Sequence, residues 1–296
     1  MKQFLTRLVY FLLPFLIGVV LVDVILKNQM RTPAKFKLKK GITAVIVGHS
    51  QSECGLNDSL IPHTQNLSFG GEAYIYNYRK LEKLVEVNPQ LKKVYVSFSN
   101  NQVGENISKW TYGDEKLTHY FPKYNYLMKV EDYSNIANEN PKGILISEVK
   151  SIVNNAKSVL KREKTVFNDR NWGGYLSLNK QKLDSLIKAN HILKLKKEIS
   201  HTESQINLYY LDKIVALCKE KNLELVFVRT PMHHMLFAVQ NEVLFQKIRK
   251  SKYNDIPFLD FHDFKLNNNE FADFDHLNKE GAIKLSKAFH QQVQSK

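Results

Sequence analysis

ITAVIVGHS, residues 42–50, is a run of β-branched and other apolar residues with no polar alternation, stopped by Gly48 and a polar pair. A strand with one wet face alternates, so an unbroken run is the pattern of a parallel strand covered on both faces. The same pattern returns downstream. A short strand ends near Asn66–Ser68, and KKVYVSFSNN (92–101), LELVFVRTP (223–231) and IPFLDF (256–261) follow, each ending in polar residues or at a turn. Helical patterns lie between them. GGEAYIYNYRKLEKLVEVNP (70–89) spaces Ala73, Ile75, Tyr76, Leu81, Leu84 and Val85 for a helix stopped before Pro89. ESQINLYYLDKIVALCKEKN (203–222), AVQNEVLFQKIRKSK (238–252) and a last segment from Lys279 complete the alternation. Strands alternating with helices predict a three-layer α/β/α sandwich around a parallel, flavodoxin-like sheet with right-handed crossovers. Residues 42–296 form this domain. Residues 102–200 break the rhythm with helical stretches at 143–164 and 179–200 around the loop NDRNWGGYLS (168–177), which predicts a helical insertion able to roof a site.

Upstream, a short tail (1–7) precedes LVYFLLPFLIGVVLVDVIL, residues 8–26, which is apolar except for Tyr10 and Asp23. It reaches the roughly 20 residues needed to cross a bilayer core. No small-residue cleavage pattern follows it, so an uncleaved transmembrane anchor is expected, with Asp23 toward the interface. Residues 27–41 then read as a basic linker. Basic residues flank the span on both sides, Lys2 and Arg7 before it and Lys27, Arg31, Lys35, Lys37, Lys39 and Lys40 after it. Counted alone, this flank would keep the large domain in the cytoplasm.

The formal charge is +14, from 43 basic and 29 acidic residues. Residues 1–40 hold eight Lys or Arg and one Asp, so half of the excess belongs to the membrane flank. No nucleic-acid motif accompanies it, and an anionic lipid or polymer surface is the expected counterpart rather than nucleic acid. Cys54 and Cys218 lie in different predicted elements and imply no disulfide framework. His49, Cys54 and His63 have no standard ligand spacing, so no metal is expected, and no motif asks for a cofactor.

Ligands of open parallel sheets sit beyond the carboxyl ends of the strands. That rule selects His49 and Ser50 after the first strand, Gly70 and Gly71 after the second, and Asn100 and Asn101 after the third. Arg229, Thr230, His233 and His234 follow the fourth, and Asp273 with His276 lies beyond the fifth. Serine is a weak nucleophile until a base takes its proton. His276 can be that base, with Asp273, three residues earlier, fixing its tautomer. Arg229 can hold a carboxylate or phosphate. Each residue also has a plain structural reading: Ser50 as a turn or cap, Asp273, Asp275 and Asn278 as helix-entry residues, the histidines as solvated loop residues.

Together, GHSQ, NLSFGGEA, SFSNN and DFDH resemble, in order, the blocks of the SGNH (GDSL-like) hydrolase and acyltransferase superfamily. The spacing through DHLNKEGA is similar to a membrane-anchored branch concerned with envelope polymers. The resemblance covers about residues 42–101 and 203–290. It implies Ser50 as nucleophile, His276 as base and Asp273 as its orienting acid. It implies an oxyanion hole from the backbone of Ser50 and Gly71 and the side chain of Asn101, with Gly70 and Asn100 as alternates, and no cofactor. His49 stands where the superfamily has an acid, and the third block lacks its usual form. His49, Arg229 and His233 are therefore carried forward as substrate-binding candidates. The implied activity is a serine esterase or O-acyltransferase on a cell-envelope glycan or related acylated polymer, held by residues 8–26, with the large domain outside the cytoplasm. A membrane protein acting as acyl donor is compatible with it. The alternative is a non-catalytic binding or scaffolding module on the same fold.

Overall fold

The run at 44–47 becomes the centre of the sheet because its side chains satisfy both faces at once: Val45, Ile46 and Val47 have no exposed surface. The structure is a computed structural model that describes residues 2–167, 172–179, 183–189 and 200–294. In chain order the helices are α1 Lys2–Met30, α2 Ser50–Gly55, α3 Tyr74–Val87, α4 Asn106–Tyr112, α5 Asp114–Tyr124 and α6 Val130–Glu139. They continue with α7 Pro141–Leu160, α8 Leu183–Lys188, α9 Gln205–Glu220, α10 His234–Phe237, α11 Glu242–Lys252 and α12 Lys279–Gln294. The strands are β1 Ala44–Val47, β2 Thr64–Asn66, β3 Lys93–Ser97, β4 Glu224–Arg229 and β5 Phe258–Asp260.

All pairings are parallel, in the order β2-β1-β3-β4-β5, with Val45 opposite Gln65 and Val94, Val96 opposite Phe227, and Val228 opposite Leu259. This is the expected α/β/α arrangement, with helices on both faces. One face packs Ala44, Ile46, Tyr95, Val226 and Val228 against Leu285 and Phe289 of α12. On the other, Phe98 meets Phe227 and Phe245 of α11 with ring centroids 4.8 Å apart, and α3 packs on α9. Gly48 ends β1 because a Cβ there would run into the Cβ of Ser97 and the hydroxyl of Ser52. The chain can therefore turn sharply into α2 with Ser50 as its first helical residue.

By contacts the chain divides into two compact units, Leu38–Tyr112 with Phe167–Lys296, and Met1–Lys37 with Gly113–Val166. The helical unit is thus entered at Gly113 and left at Val166, inside the expected 102–200 segment. α4 and the described part of 167–200 belong with the sheet. In the helical unit, α1 continues without a break to Met30, so the expected linker at 27–41 begins as helix. Among the described residues α1 is the one helix long and apolar enough to cross a membrane. The helical pattern expected over 179–200 is seen at Leu183–Lys188; residues 168–171, 180–182 and 190–199 lie outside the described residues.

Where the sequence pattern starts a helix at the Gly70–Gly71 pair, the structure has a turn. Gly71 has φ +76°, and the helix opens at Tyr74 with Ala73 at its cap. A fully buried ion pair stabilises this region: Lys80 Nζ lies 2.5 Å from Glu72 and donates to the Leu67 carbonyl at 2.7 Å. Burial pushes the Lys80 pKa down, against the pull of Glu72. Replacing one member strands a buried charge, whereas replacing both does not. Lys80→Met is expected to cost about 3–5 kcal/mol in guanidinium unfolding, and Glu72→Gln with Lys80→Met to recover most of it.

Candidate functional site

The last turn before α12 is shaped by one carboxylate. Asp273 Oδ1 accepts the backbone N–H groups of Asp275 and His276, each at 2.8 Å, and both its oxygens face His276 Nδ1, at 2.9 and 3.0 Å. The Ala272 N–H donates to the His276 carbonyl at 2.9 Å, and Asn278 Oδ1 caps α12 by accepting from Glu280 and Gly281. With Nδ1 occupied by Asp273, Nε2 is directed elsewhere. It is buried and has no hydrogen-bond partner among the described residues, so Ser50 is not bonded to it in this structure. Asp275 Oδ2 lies 3.9 Å from it, beyond hydrogen-bond reach, and a buried ring nitrogen without a hydrogen bond is costly in a purely structural histidine.

The opening helix reaches this turn. Gln51 Nε2 donates to Asp275 Oδ1 at 2.6 Å, so the residue after Ser50 clasps the residue before His276 across the whole fold. Electrostatics report the same proximity. Burial alone would lower the His276 pKa, but the Asp273 hydrogen bond and the charges of Asp275, Asp273 and Glu53 raise it to about 9. Burial would raise the pKa of Asp273, yet His276 and the backbone donors of Asp275 and His276 hold it down. Ser50, Asp273 and His276 thus come from the two ends of the chain to one side of the sheet, bridged by Gln51.

His49, expected as a substrate contact, is 2% exposed and faces inward. Burial, with the charge of His276, pushes its pKa down to about 3, so the ring is neutral. Its Nδ1 accepts the Gln51 backbone N–H at 3.5 Å, which leaves the proton on Nε2 to be donated to Ser99 Oγ at 2.9 Å. Ser99 Oγ in turn donates to Asn101 Oδ1 at 2.7 Å. This relay consumes the acceptor end of the Asn101 amide and turns its NH₂ away as a donor. Asn100, the alternate, is committed elsewhere: it donates to Glu242 at 2.8 Å and accepts from Arg229 at 3.2 Å.

Two further expectations are corrected. Arg229 is fully buried, paired bidentately with Asp260 at 2.8 and 2.6 Å and with Glu242 at 2.8 Å, so its guanidinium is spent inside the protein. His233 is 1% exposed; it caps α10 by accepting from Met235 and pairs with Asn268 at 3.1 Å. Gly70 lies beside the helix that opens at Ser50, since a Cβ there would sit 3.6 Å from Ser50 Cβ and 2.9 Å from Glu53. The Gly71 carbonyl accepts from the Trp110 indole at 3.1 Å. Gln51 and Ser99 went unnoticed in sequence, because neither residue type nor spacing marks a partner 224 or two residues away.

A cavity of about 380 Å³ opens beside His276. Its lining mixes side-chain amides (Asn101, Asn106, Gln240, Asn241) with apolar groups (Met232, Leu236, Leu244), and its described charged residues are Asp273, Asp275 and His276. Such a wall suits a neutral, hydroxyl-bearing ligand better than an anion.

No curated protein matches the sequence. A protein-family model matches residues 170–296, less than half of the chain. Among solved structures the chain is similar to a protein described as an acylhydrolase from Bacteroides fragilis, at 11% identity and a TM-score of 0.37, over 90% of this chain and 93% of that one. It is also similar to a GDSL-like lipase from Bacteroides thetaiotaomicron, at 8% identity and a TM-score of 0.37, over 90% and 95%.

The raised pKa of His276 makes the fold pH-sensitive. Protonation stabilises the folded state, fully so below pH 6.5, and that contribution is lost as pH rises through about 9. Denaturant unfolding should show wild type losing on the order of 3 kcal/mol across this window relative to His276→Asn, in which the window is flat.

Proposed function

We propose that the chain is a membrane-anchored serine esterase or O-acyltransferase of the SGNH type, acting on a cell-envelope glycan or related polymer, with an acyl-enzyme formed at Ser50. The observation that carries this is the His276 ring, clamped by Asp273 at one nitrogen and free of hydrogen bonds at the other, where Asp275 Oδ2 lies 3.9 Å away, and joined to the Ser50 helix through Gln51 and Asp275. In the first step Ser50 Oγ attacks the acyl carbonyl and passes its proton to His276 Nε2. The oxyanion receives the Asn101 NH₂ and the backbone N–H groups of Ser50 and Gly71, or Gly70 in its place. Collapse expels the alcohol, which takes the proton from His276. Water or an acceptor hydroxyl then attacks the ester at Ser50, giving its proton to His276, and the second collapse restores the serine. Asp273 stays ionised throughout. Whether water or an acceptor completes the cycle depends on how well the cavity excludes water, and its amide-rich wall supports a sugar hydroxyl as acceptor. In this reading α1, which is long and apolar enough to span a bilayer, serves as the anchor, and the large domain is assigned to the outside of the cytoplasm.

His276 must lose its proton before it can act, and its pKa is about 9. Ester hydrolysis is therefore expected to rise with pH along one limb near 9, and Asp275→Asn, which removes a carboxylate that favours the imidazolium, to shift that limb to lower pH. A limb unmoved by Asp275→Asn contradicts the role of His276. A non-catalytic binding module is favoured instead by the same imidazolium at neutral pH and by the missing Ser50–His276 hydrogen bond. The two readings part on fluorophosphonate labelling: the enzyme requires covalent labelling of wild type and none of Ser50→Ala, whereas equal labelling removes Ser50 from the mechanism. Ser99→Ala is expected to lower kcat about tenfold with KM little changed, by loosening the Asn101 amide, and Asn101→Ala about a hundredfold. Asn100→Ala at the Asn101 level would transfer the oxyanion role to Asn100.

A further inference from the structure

Helix α7 is patterned inside out. Its buried residues are Ile144 and, spaced four apart, Gly143, Ser147, Ser151 and Asn155, with the serine hydroxyls turned back onto the carbonyls of Gly143 and Ser147 and Asn155 donating to Asn125 at 3.0 Å. Its outer face carries Leu145 at 71% exposure, Val149 at 65%, Val153 at 48% and Leu160 at 81%. At 100° per residue these four fall on one stripe, and Lys150, Lys157 and Lys161 fall on its flank. A helix in water buries its branched aliphatics and exposes its polar residues. This one, Ile144 apart, buries small polar residues and sets its branched aliphatics outside beside its lysines.

The position of α7 says what covers the stripe. Glu148, halfway along it, pairs with Lys27 of α1, which also lies 2.6 Å from Asp23 and 3.0 Å from the Tyr133 hydroxyl; that hydroxyl is 3.0 Å from Glu148. This cluster sits where the apolar stretch of α1 gives way to polar residues. Arg31, one turn further on, donates to the Tyr126 carbonyl. α7 is thus tied to α1 at the end of its apolar stretch. An apolar stripe beside a row of lysines is the chemistry of a helix lying in the head-group zone of an anionic membrane.

We infer that α7 lies in the interface of the membrane that α1 enters, its Leu145–Val149–Val153–Leu160 stripe in the acyl boundary and its lysines on anionic head groups. This rests on the reading of α1 as an anchor. The full chain is reconstituted in phosphatidylcholine vesicles with and without phosphatidylglycerol, carrying one fluorophore on Val149→Cys, Asn154→Cys or Leu16→Cys; Cys54 and Cys218 are buried. Quenching is then measured with lipids carrying a shallow nitroxide, read at Val149 and Asn154, and with lipids carrying a nitroxide deep in the acyl chain, read at Leu16. The label at Val149 is expected to be quenched at least about threefold more than that at Asn154, and Lys150→Glu with Lys157→Glu to reduce this difference only where phosphatidylglycerol is present. If the label at Leu16 is quenched and that at Val149 matches Asn154, the anchor stands and the inference falls. If Leu16 is also unquenched, both fall. A Val149 label shielded from lipid and from aqueous iodide alike marks a protein on this face and likewise overturns the inference.

Discussion

Everything at the site follows from holding one imidazole among carboxylates with a single nitrogen left over. Asp273 does two things with the same oxygen: it folds the turn by accepting two backbone N–H groups, and it accepts the hydrogen bond donated by His276 Nδ1–H. Because the turn and the tautomer share a residue, the direction of Nε2 is set by the backbone. Asp275 then reaches across to Gln51, so the helix bearing Ser50 and the turn bearing His276 cannot separate without breaking a hydrogen bond to a charged group.

Two buried cations of the sheet unit are spent on partners of their own. Arg229 and Lys80 lie fully buried and are consumed by Asp260, Glu242 and Glu72. What the described residues place around His276 is negative, which raises its pKa, so that the one positive group they give the amide-lined cavity is the imidazolium itself, held by Asp273 and Asp275. The neutral His49 ring suits this field. An acid in its place would add another negative charge, whereas the imidazole supplies a donor that orders Ser99 and, through it, Asn101.

The sheet was legible because parallel strands buried on both faces leave continuous apolar runs: β1, β3 and β4 fall inside the segments read for them, and the final helix opens at Lys279 as expected. β2 is only Thr64–Asn66, and its end rather than its composition betrayed it. The Asp273–His276 contact was legible because it is local. Arg229, His233 and His49 were not: a polar residue after a strand reads as a ligand contact until its burial is known. The partners that occupy these three, Asp260 and Glu242, Asn268, and Ser99, come from other segments. The borders of the helical unit were missed for a similar reason, since helical periodicity continues from α4 into α5 while the packing changes at Gly113.

The most direct measurement is a crystal structure of the chain after reaction with an alkyl phosphonate that mimics the tetrahedral intermediate. The account predicts phosphorus bonded to Ser50 Oγ, one phosphonyl oxygen on the Asn101 NH₂, and His276 Nε2 turned to the remaining oxygen while Gln51 still holds Asp275. Phosphorus on another residue, or an adduct at Ser50 with His276 pointing away from it, would contradict the account.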